Sequence, residues 1–371
     1  MLGNTFGRAF RVTTSGEAFG PALLGIVEGV PAGVSLVESD IQYELDRRRP
    51  GQSAIATPRQ ESDSVRILSG TLDKITTGAP IGLVIENEWA TPERIAAYAG
   101  EKDIIKPGHA TYTYFAKYGI HRDWVADGRA NGRETAMRVA AGAIAKKLLA
   151  SVGIEIVGYT KALGGISAPA MPYETIREHA DDSQVRCPDA ETAERMLKRA
   201  LAAKEDGESI GGIVEVIAHN VPVGWGEPVY DKLDANLAQA LMSIGSVKGI
   251  EIGAGFAVAA MVGSENNDLP CVEDNRIGFR TNHAGGILGG ISTGEDIVVR
   301  MAVKPTPTIA KEQETVDMVT KQSATFRCKT ATDSAIVPRM VPIAEAMVAL
   351  TLIDQAMLAS AKVTGKDDND G

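Results

Sequence analysis

The residues best suited to chemistry lie close together between positions 106 and 150. His109 sits behind a Pro107-Gly108 turn, and Arg129 and Arg133 occupy a Gly-rich loop that runs directly into a helix. At such a junction the free amide hydrogens of the first turn, the positive end of the helix dipole and two guanidinium groups converge, which suits an anion. An ordinary capped helix with solvated arginines has the same sequence. Two further stretches bear on the choice. Arg47, Arg48 and Arg49 precede Pro50-Gly51; in a helix they project in three directions and cannot share one face. A basic run at a helix C-terminus is usually solvated charge, but against an acidic background it favours an anionic ligand. The Gly-rich loop at 282–294 leads to KPTPT at 304–308, where backbone amides, Lys304 and two threonines can surround a phosphate. Without GxGxxG or P-loop spacing, the loop alone is a weak signal.

The five histidines (His109, His121, His179, His219 and His283) show no metal-ligand spacing, and there is neither a GxSxG elbow nor a Cys-His neighbourhood. With His109 as acid and a carboxylate such as Asp333 as base, the residues support a lyase or transferase acting on a phosphate ester. A lone His or Asp is more often structural than catalytic, so residue types carry the reading no further.

The elements that must position these groups follow from periodicity. Asn131 with Glu134 three residues on reads as a cap, and Met137, Ala140, Ile144 and Leu148 give the following helix one apolar face. Strands are expected at 10–14, 21–30, 65–69, 81–86, 154–160, 211–223 and 296–303. Helices are expected at 39–49, with Ser39 as N-cap, and at 189–204, 229–244 and 341–361. Residues 89–103 read as a polar insertion without a motif. The second half echoes the first in its succession of strand, helix and Gly-rich turn. Because the order does not alternate strictly, an α+β fold with an internal pseudo-repeat, its sheets covered by helices, is expected over a doubly wound sheet.

A net charge of -10 argues against nucleic-acid binding, and 44% hydrophobic residues with 39 Gly describe a Gly-rich globular chain with ample core. Cys187, Cys271 and Cys328 lie far apart without a CxxC pair, so neither a disulfide framework nor a zinc site is indicated. The N-terminal GNTFGRAFRVTT lacks the apolar run of a signal peptide, and no uncharged stretch approaches membrane-spanning length. A cytoplasmic protein without a membrane partner is expected. Residues 1–361 read as one domain, and 362–371 as a short, acidic, disordered tail.

Several stretches, in order, resemble the chorismate synthase family. They are GNTFGRAFRVTT at 3–14, DRRRPGQS at 46–53, ILSGTLDKITTGAPIG at 67–82, PGHATYTYFAKYG at 107–119 and GRETAMRVAAGAIAKK at 132–147. They continue with LDANLAQALMSIGSVKGIEIGAGF at 233–256, NHAGGILGGISTG at 282–294, VVRMAVKPTPTI at 298–309 and VPRMVPIAEAMVAL at 337–350. The likeness covers nearly the whole chain. It implies a sandwich of β-sheets and α-helices assembled as a homotetramer. It also implies an anti 1,4-elimination of phosphate from 5-enolpyruvylshikimate 3-phosphate, giving chorismate for aromatic amino acid biosynthesis by the shikimate pathway. The family needs reduced FMN although the reaction is redox-neutral. NADPH is associated with it, the source of flavin reduction here being open. By matching position, the resemblance implies Arg48 and Arg133 for the anionic substrate and Arg129, Gly289, Lys304 and Thr308 for FMN. His109 looks like the family histidine near flavin N1, and Asp333 like the carboxylate near N5 that helps remove the C6 proton.

The departures fall in the active-site segments. The family's GESHG reads Gly16-Glu17-Ala18-Phe19-Gly20, so a phenyl ring replaces a second catalytic histidine that assists phosphate departure. The family's RGGGRSSAR reads VADGRANGR at 125–133, which removes one arginine and both serines and adds Asp127, a negative charge beside a phosphate site. The Asn-Ala pair after MSI is Gly245-Ser246, and the Arg-His-Asp run before the last helix is Ala331-Thr332-Asp333, with Lys329 as a partial replacement. A lost general acid costs about 10²–10⁴-fold in rate. Chorismate synthase activity is the first reading. A flavin-dependent lyase on a related anion, and a non-catalytic homologue that binds FMN or a partner subunit, are the alternatives.

Overall fold

The structure, a computed structural model, describes residues 3–57, 59–273, 275–328 and 333–360. The first half of the chain supplies β1 (Thr5–Phe6), β2 (Arg11–Ser15), β3 (Ala22–Glu28), α1 (Glu38–Arg48), β4 (Val65–Ile67) and β5 (Ile81–Glu86). After α2 (Pro92–Ala97) and α3 (Thr111–Tyr118) comes α4 (Thr135–Ala150). The second half supplies β6 (Glu155–Leu163), β7 (Ile166–Ser167), α5 (Ala190–Glu205), β8 (Gly212–His219), α6 (Leu233–Met242), β9 (Val247–Ile252), β10 (Ile297–Val303) and α7 (Val337–Ser360). Each half thus builds one five-stranded antiparallel sheet, ordered β1-β2-β3-β5-β4 and β9-β10-β8-β6-β7. In β3 the expected alternation is plain: Leu23 and Val27 are buried while Leu24 and Ile26 face outward.

α1 and α4 cover the first sheet, α6 and α7 the second, and α4 packs on α7, so the layers run sheet, helices, helices, sheet. This is the α+β sandwich that was expected. Element boundaries differ in informative ways. α1 begins after Val37, whose amide donates to Asp40 Oδ2 at 3.0 Å, so Ser39 lies inside the first turn and is not the N-cap. α6 starts at Leu233, four residues later than its apolar pattern suggests, and leaves Val229 and Tyr230 exposed. α4 has more than one apolar face. Ala136, Val139, Ala141, Ala145 and Leu149 are buried along with Met137, Ala140, Ile144 and Leu148, because the helix lies between a sheet and α7. Small residues permit that approach: a β-carbon on Gly142 would sit 2.4 Å from the β-carbon of Ala346.

By length and hydropathy α7 matches a membrane span, although Glu345 and Asp354 keep it from being an uncharged stretch. Its most apolar window is 83% buried within the protein, as befits a core helix. Both carboxylates have structural partners. Asp354 Oδ1 accepts the backbone N–H groups of Arg8, Ala9 and Phe10 at 2.8, 2.7 and 3.0 Å. Glu345 accepts from Gly158 N in β6 (2.9 Å), Lys146 in α4 (2.9 Å) and both terminal nitrogens of Arg47 in α1 (2.5 and 2.9 Å). Burial alone would raise its pKa; Arg47 and Lys146 outweigh burial and hold the carboxyl well below its usual value. Pro342, inside α7, leaves the Pro338 carbonyl without its helical donor, and Arg186 Nη1 supplies one at 2.7 Å.

Two outcomes test this packing. Gly142→Ala gains about 1 kcal/mol of helix propensity, but overpacking against Ala346, about 1–3 kcal/mol, is expected to dominate. Denaturant unfolding should therefore show a less stable protein; a more stable one would contradict the close α4–α7 approach. Arg47 and Lys146 share two carboxylates, Glu345 and Glu44; Glu345→Gln removes the more buried of them and is expected to cost up to about 3–5 kcal/mol at neutral pH. Because the folded carboxyl titrates below the unfolded one, the native protein keeps this stability above the unfolded pKa of about 4.3 and loses it as pH falls through the folded value. Urea midpoints of the two proteins should converge in acid, and a constant gap would rule the Glu345 charge out as its source.

Candidate active site

Consecutive helical residues turn by about 100°, and the arginines at the end of α1 diverge accordingly. Arg47 turns to Glu345, Arg49 lies out beside Asp46, and Arg48 points inward and is fully buried. Arg48 pairs with Asp63; Asp63 also accepts from Arg133 at 2.7 Å. Arg133 donates to Glu61 at 2.5 Å, and Glu61 accepts from Arg59 at 2.5 Å. The outcome is an alternating chain, Arg48, Asp63, Arg133, Glu61, Arg59, with a cation at each end and one more guanidinium than carboxylate. Burial would raise the Asp63 pKa, but Arg48 and Arg133 hold it below the usual carboxylate value. Burial lowers the Arg59 guanidinium; Glu61 opposes this and the neighbouring Arg133 adds to it. The buried Nε atoms of Arg48, Arg59 and Arg133 have no hydrogen-bond partner among the described residues. Buried donors are normally satisfied, so three orphaned donors beside a surplus cation have the character of an anion site.

Asp333 borders this chain. Its Oδ1 accepts from Thr57 N at 3.0 Å and its Oδ2 from Arg339 Nη1 at 2.6 Å, while Arg339 Nε donates to the Arg48 carbonyl at 3.3 Å. The candidate base is thus an ion-paired carboxylate held next to Arg48.

His109 belongs to a second group. Residues 106–109 form a tight turn in which His109 N donates to Lys106 O at 3.1 Å and Gly108 takes φ 70°. A turn with Pro second and a left-handed third residue requires glycine there. The turn brings Lys106 Nζ (3.3 Å) and His109 Nδ1 (2.7 Å), with the nearby Thr111 hydroxyl (3.1 Å), to one oxygen of Asp127. The His109 contact is short, but Nδ1 has no well-aligned hydrogen-bond partner among the described residues. Burial would raise the Asp127 pKa; His109 and Lys106 hold it below normal. The negative charge expected to oppose a phosphate is therefore compensated within the protein. Lys304 Nζ donates to the Gly108 carbonyl and Pro307 packs against Gly108, so the KPTPT run that carries Thr308 lies on the His109 turn. Burial and nearby Lys248 lower the Lys304 pKa.

Phe19 joins the two groups. Arg129 donates to Gly16 O (3.0 Å) and Thr14 Oγ1 (2.9 Å), and Asn87 Nδ2 to Ala18 O (2.7 Å) and Gly20 O (3.0 Å), so the 16–20 loop is held from both sides. Phe19 meets Tyr98 edge-on at 5.1 Å. The Arg59 guanidinium lies 5.5 Å from the Phe19 ring and 5.6 Å from Trp89, Arg94 stacks on Trp89 at 3.3 Å, and Lys106 Nζ is 5.5 Å from Tyr98. Such cation–aromatic contacts are attractive when desolvated. Burial raises the Tyr98 phenol, with Arg59 pulling the other way. Asn131 does cap the turn Gly132–Glu134 ahead of α4, accepting from Arg133 N at 3.1 Å, but Glu134 pairs with Arg138 at 3.0 Å and does not reach back.

Gly289 stands apart. The next residue, Gly290, accepts from Leu233 N at 2.8 Å at the start of α6, whereas Lys304 N donates to Ser246 O at 2.9 Å beyond its end. The ten residues of α6 separate them by about 15 Å, too far for one phosphate group to touch both. Arg59, Glu61, Asp63, Trp89 and Tyr98 went unread in the sequence. The first three had a usable signal, charges at a spacing of two ahead of a strand, which fall on one side of an extended segment. Residues 329–332, with Lys329 and Thr332, and the tail from 361 lie outside the described residues.

The comparisons bear on this arrangement directly. The family model for chorismate synthase matches residues 10–357. Chorismate synthase of Methanosarcina mazei is 53% identical over 357 residues, covering 96% of this chain and 97% of that one. The enzyme of Archaeoglobus fulgidus is 50% identical over 351 residues, covering 95% and 96%. A crystal structure of chorismate synthase superposes with a TM-score of 0.75 at 33% identity, covering 95% of this chain and 92% of that chain. With the match running from the first sheet through α7, the chain belongs to the chorismate synthase family.

Proposed function

We propose that this chain eliminates phosphate from 5-enolpyruvylshikimate 3-phosphate to give chorismate. The observation that carries the reading is the alternating charge chain from Arg48 to Arg59, with its surplus cation and three unpaired Nε donors. In the elimination the C6 proton is lost and the C3–O bond breaks, its electron pair leaving with phosphate. Arg59, at the open end of the chain, neutralises the departing dianion, while Asp63 and Glu61 hold Arg48 and Arg133 in place. Asp333 takes the C6 proton, oriented by Arg339 and Thr57 N, and His109 serves as the second acid–base group. Phe19 donates no proton. A phosphate met by guanidinium groups can leave as the dianion, so preorganised charge takes over part of that role.

Reduced FMN, when bound, supplies the electron-rich chemistry the family requires. The residues fit it: Lys304 and Lys248 give a cationic end on the His109 turn, Arg129 borders the 16–20 loop, and a β-carbon on Gly289 would meet nothing within 4 Å. The separation across α6 suits an elongated cofactor. Lys304 and Thr308 would hold one end and Gly289 would line the other. NADPH remains the reductant to test. Tyr230, Phe256, Ile277 and Leu288 are exposed in the second half of the chain, and a homotetramer would give such side chains something to cover them. We assign residues 1–361 to one domain and the protein to the cytoplasm. The aromatic wall of Phe19, Trp89 and Tyr98 favours, as a second reading, a flavin-dependent lyase for a differently substituted anion.

An anaerobic assay with photoreduced FMN, following phosphate release and chorismate absorbance together, decides between them. Turnover is expected, with Arg59→Gln lowering kcat/KM by about 10²–10³-fold. Tight FMN binding without turnover would favour the altered substrate, and Phe19→His should then fail to restore activity. Neither turnover nor FMN binding would leave a non-catalytic homologue.

A further inference from the structure

Three successive residues, Ala126, Asp127 and Gly128, have positive φ of 49°, 57° and 53°. Left-handed backbone costs about 1–2 kcal/mol for an ordinary residue and is tolerated best by glycine, asparagine and aspartate. The family segment has glycine at all three positions, so the backbone here has no need of a side chain at 127. The side chain present is a carboxylate, 2% exposed. A buried charge is costly unless paired, and each of the three partners of Asp127 comes from the segment 106–111: Lys106, His109 and Thr111.

We propose that Asp127 is a positioning residue that fixes the tautomer and orientation of His109. Lys106 lies 3.3 Å from the same oxygen, so Asp127 has a cationic partner apart from the imidazole. A neutral imidazole with Nδ1 2.7 Å from a carboxylate oxygen must present Nδ1–H to it, which leaves the lone pair on Nε2. Nε2 can then accept a proton while the ring stays anchored, and the poorly aligned approach seen here is of the kind that tightens when a ligand binds. The other charged or titratable groups around the pair include Lys304 on the Gly108 carbonyl, Asp123 against Gly128, Tyr98 across the loop and Tyr114 on α3. None of them donates to or accepts from Asp127. The chain thus adds a carboxylate to the histidine it retains, having lost the histidine at position 19.

The proposal rests on reading His109 as an acid–base group, and its test separates the two claims. Ring 15N NMR of the full-length protein, with His109 assigned by loss of its signals in His109→Gln, reports the tautomer without cofactor or substrate. The native protein should show Nδ1–H. Asp127→Asn keeps a residue at ease with positive φ, and its amide can donate to Nδ1; the ring should switch to Nε2–H. In Asp127→Gly, which removes backbone strain along with the carboxylate, the Nδ1–H preference should disappear. With 5-enolpyruvylshikimate 3-phosphate, Asp127→Asn should lower kcat by about 10²–10⁴-fold, as wrong-tautomer variants do, while KM changes little. The same tautomer in native and Asp127→Asn protein overturns the proposal, as does an unchanged kcat in a variant of an active native enzyme. An inactive native enzyme would count against the functional reading, and the tautomer measurement would still decide this one.

Discussion

Glu345 is the point on which the architecture turns. One buried carboxylate in α7 takes hydrogen bonds from α1, α4 and β6, and so ties the helices that cover the first sheet to a strand of the second. Transferring such a group from water is unfavourable unless its partners are close and well placed, which makes the relative placement of α1 and α7 strict. The end of α1 is fixed again by Arg186, whose guanidinium donates to the carbonyls of Arg47 and Pro338 at 2.7 Å each. Arg48 follows from this. With Arg47 committed to Glu345, the next side chain must leave the helix about 100° away, and that direction leads to Asp63 and the charge chain. The scaffold and the site share one helix turn.

Seen from that turn, the altered active-site segments have a consistent physical character. Two of the altered side chains, Asp127 and Phe19, are met by a local adjustment. Asp127 is balanced by Lys106, and Phe19 is packed under Arg59 and against Tyr98. Aromatic faces are among the few surroundings that stabilise a partly desolvated guanidinium without neutralising it. Arg59, already paired with Glu61 at 2.5 Å, therefore meets no second counter-charge at position 19.

Periodicity revealed the fold well and the site only in part. Strands such as β3 and β5 and helices such as α4 and α5 follow from alternation, helical spacing and caps, all of which are local. Asp189, for example, caps α5 by accepting from Thr192 N at 2.9 Å. The depth of burial of α4 escaped, because a run of alanines has the same spacing on every face and only the opposing helix defines which face is covered. At the site, the divergence of Arg47, Arg48 and Arg49 was readable from helix geometry alone. Their partners were not, since Asp63 is 15 residues from Arg48 and Glu345 is 298 from Arg47. Trp89 and Tyr98 were invisible for another reason: residues on either side of a short helix have no period to announce them, and their role comes from what Phe19 and Arg59 bring to them.

The order of elements along the chain gives α7 a particular place in the making of the molecule. Both sheets precede it in sequence, so during vectorial synthesis their inner faces exist before the helix that covers the second sheet and backs α4. Until α7 leaves the ribosome, those faces and the buried cations Arg47 and Lys146 lack their main counterpart, and exposed apolar surface of that kind is prone to aggregation. When α7 does emerge it is as apolar as a membrane anchor, yet it carries two acids midway that have partners only inside this protein. The carboxylates that complete the core thereby also mark the helix as unsuited to lipid.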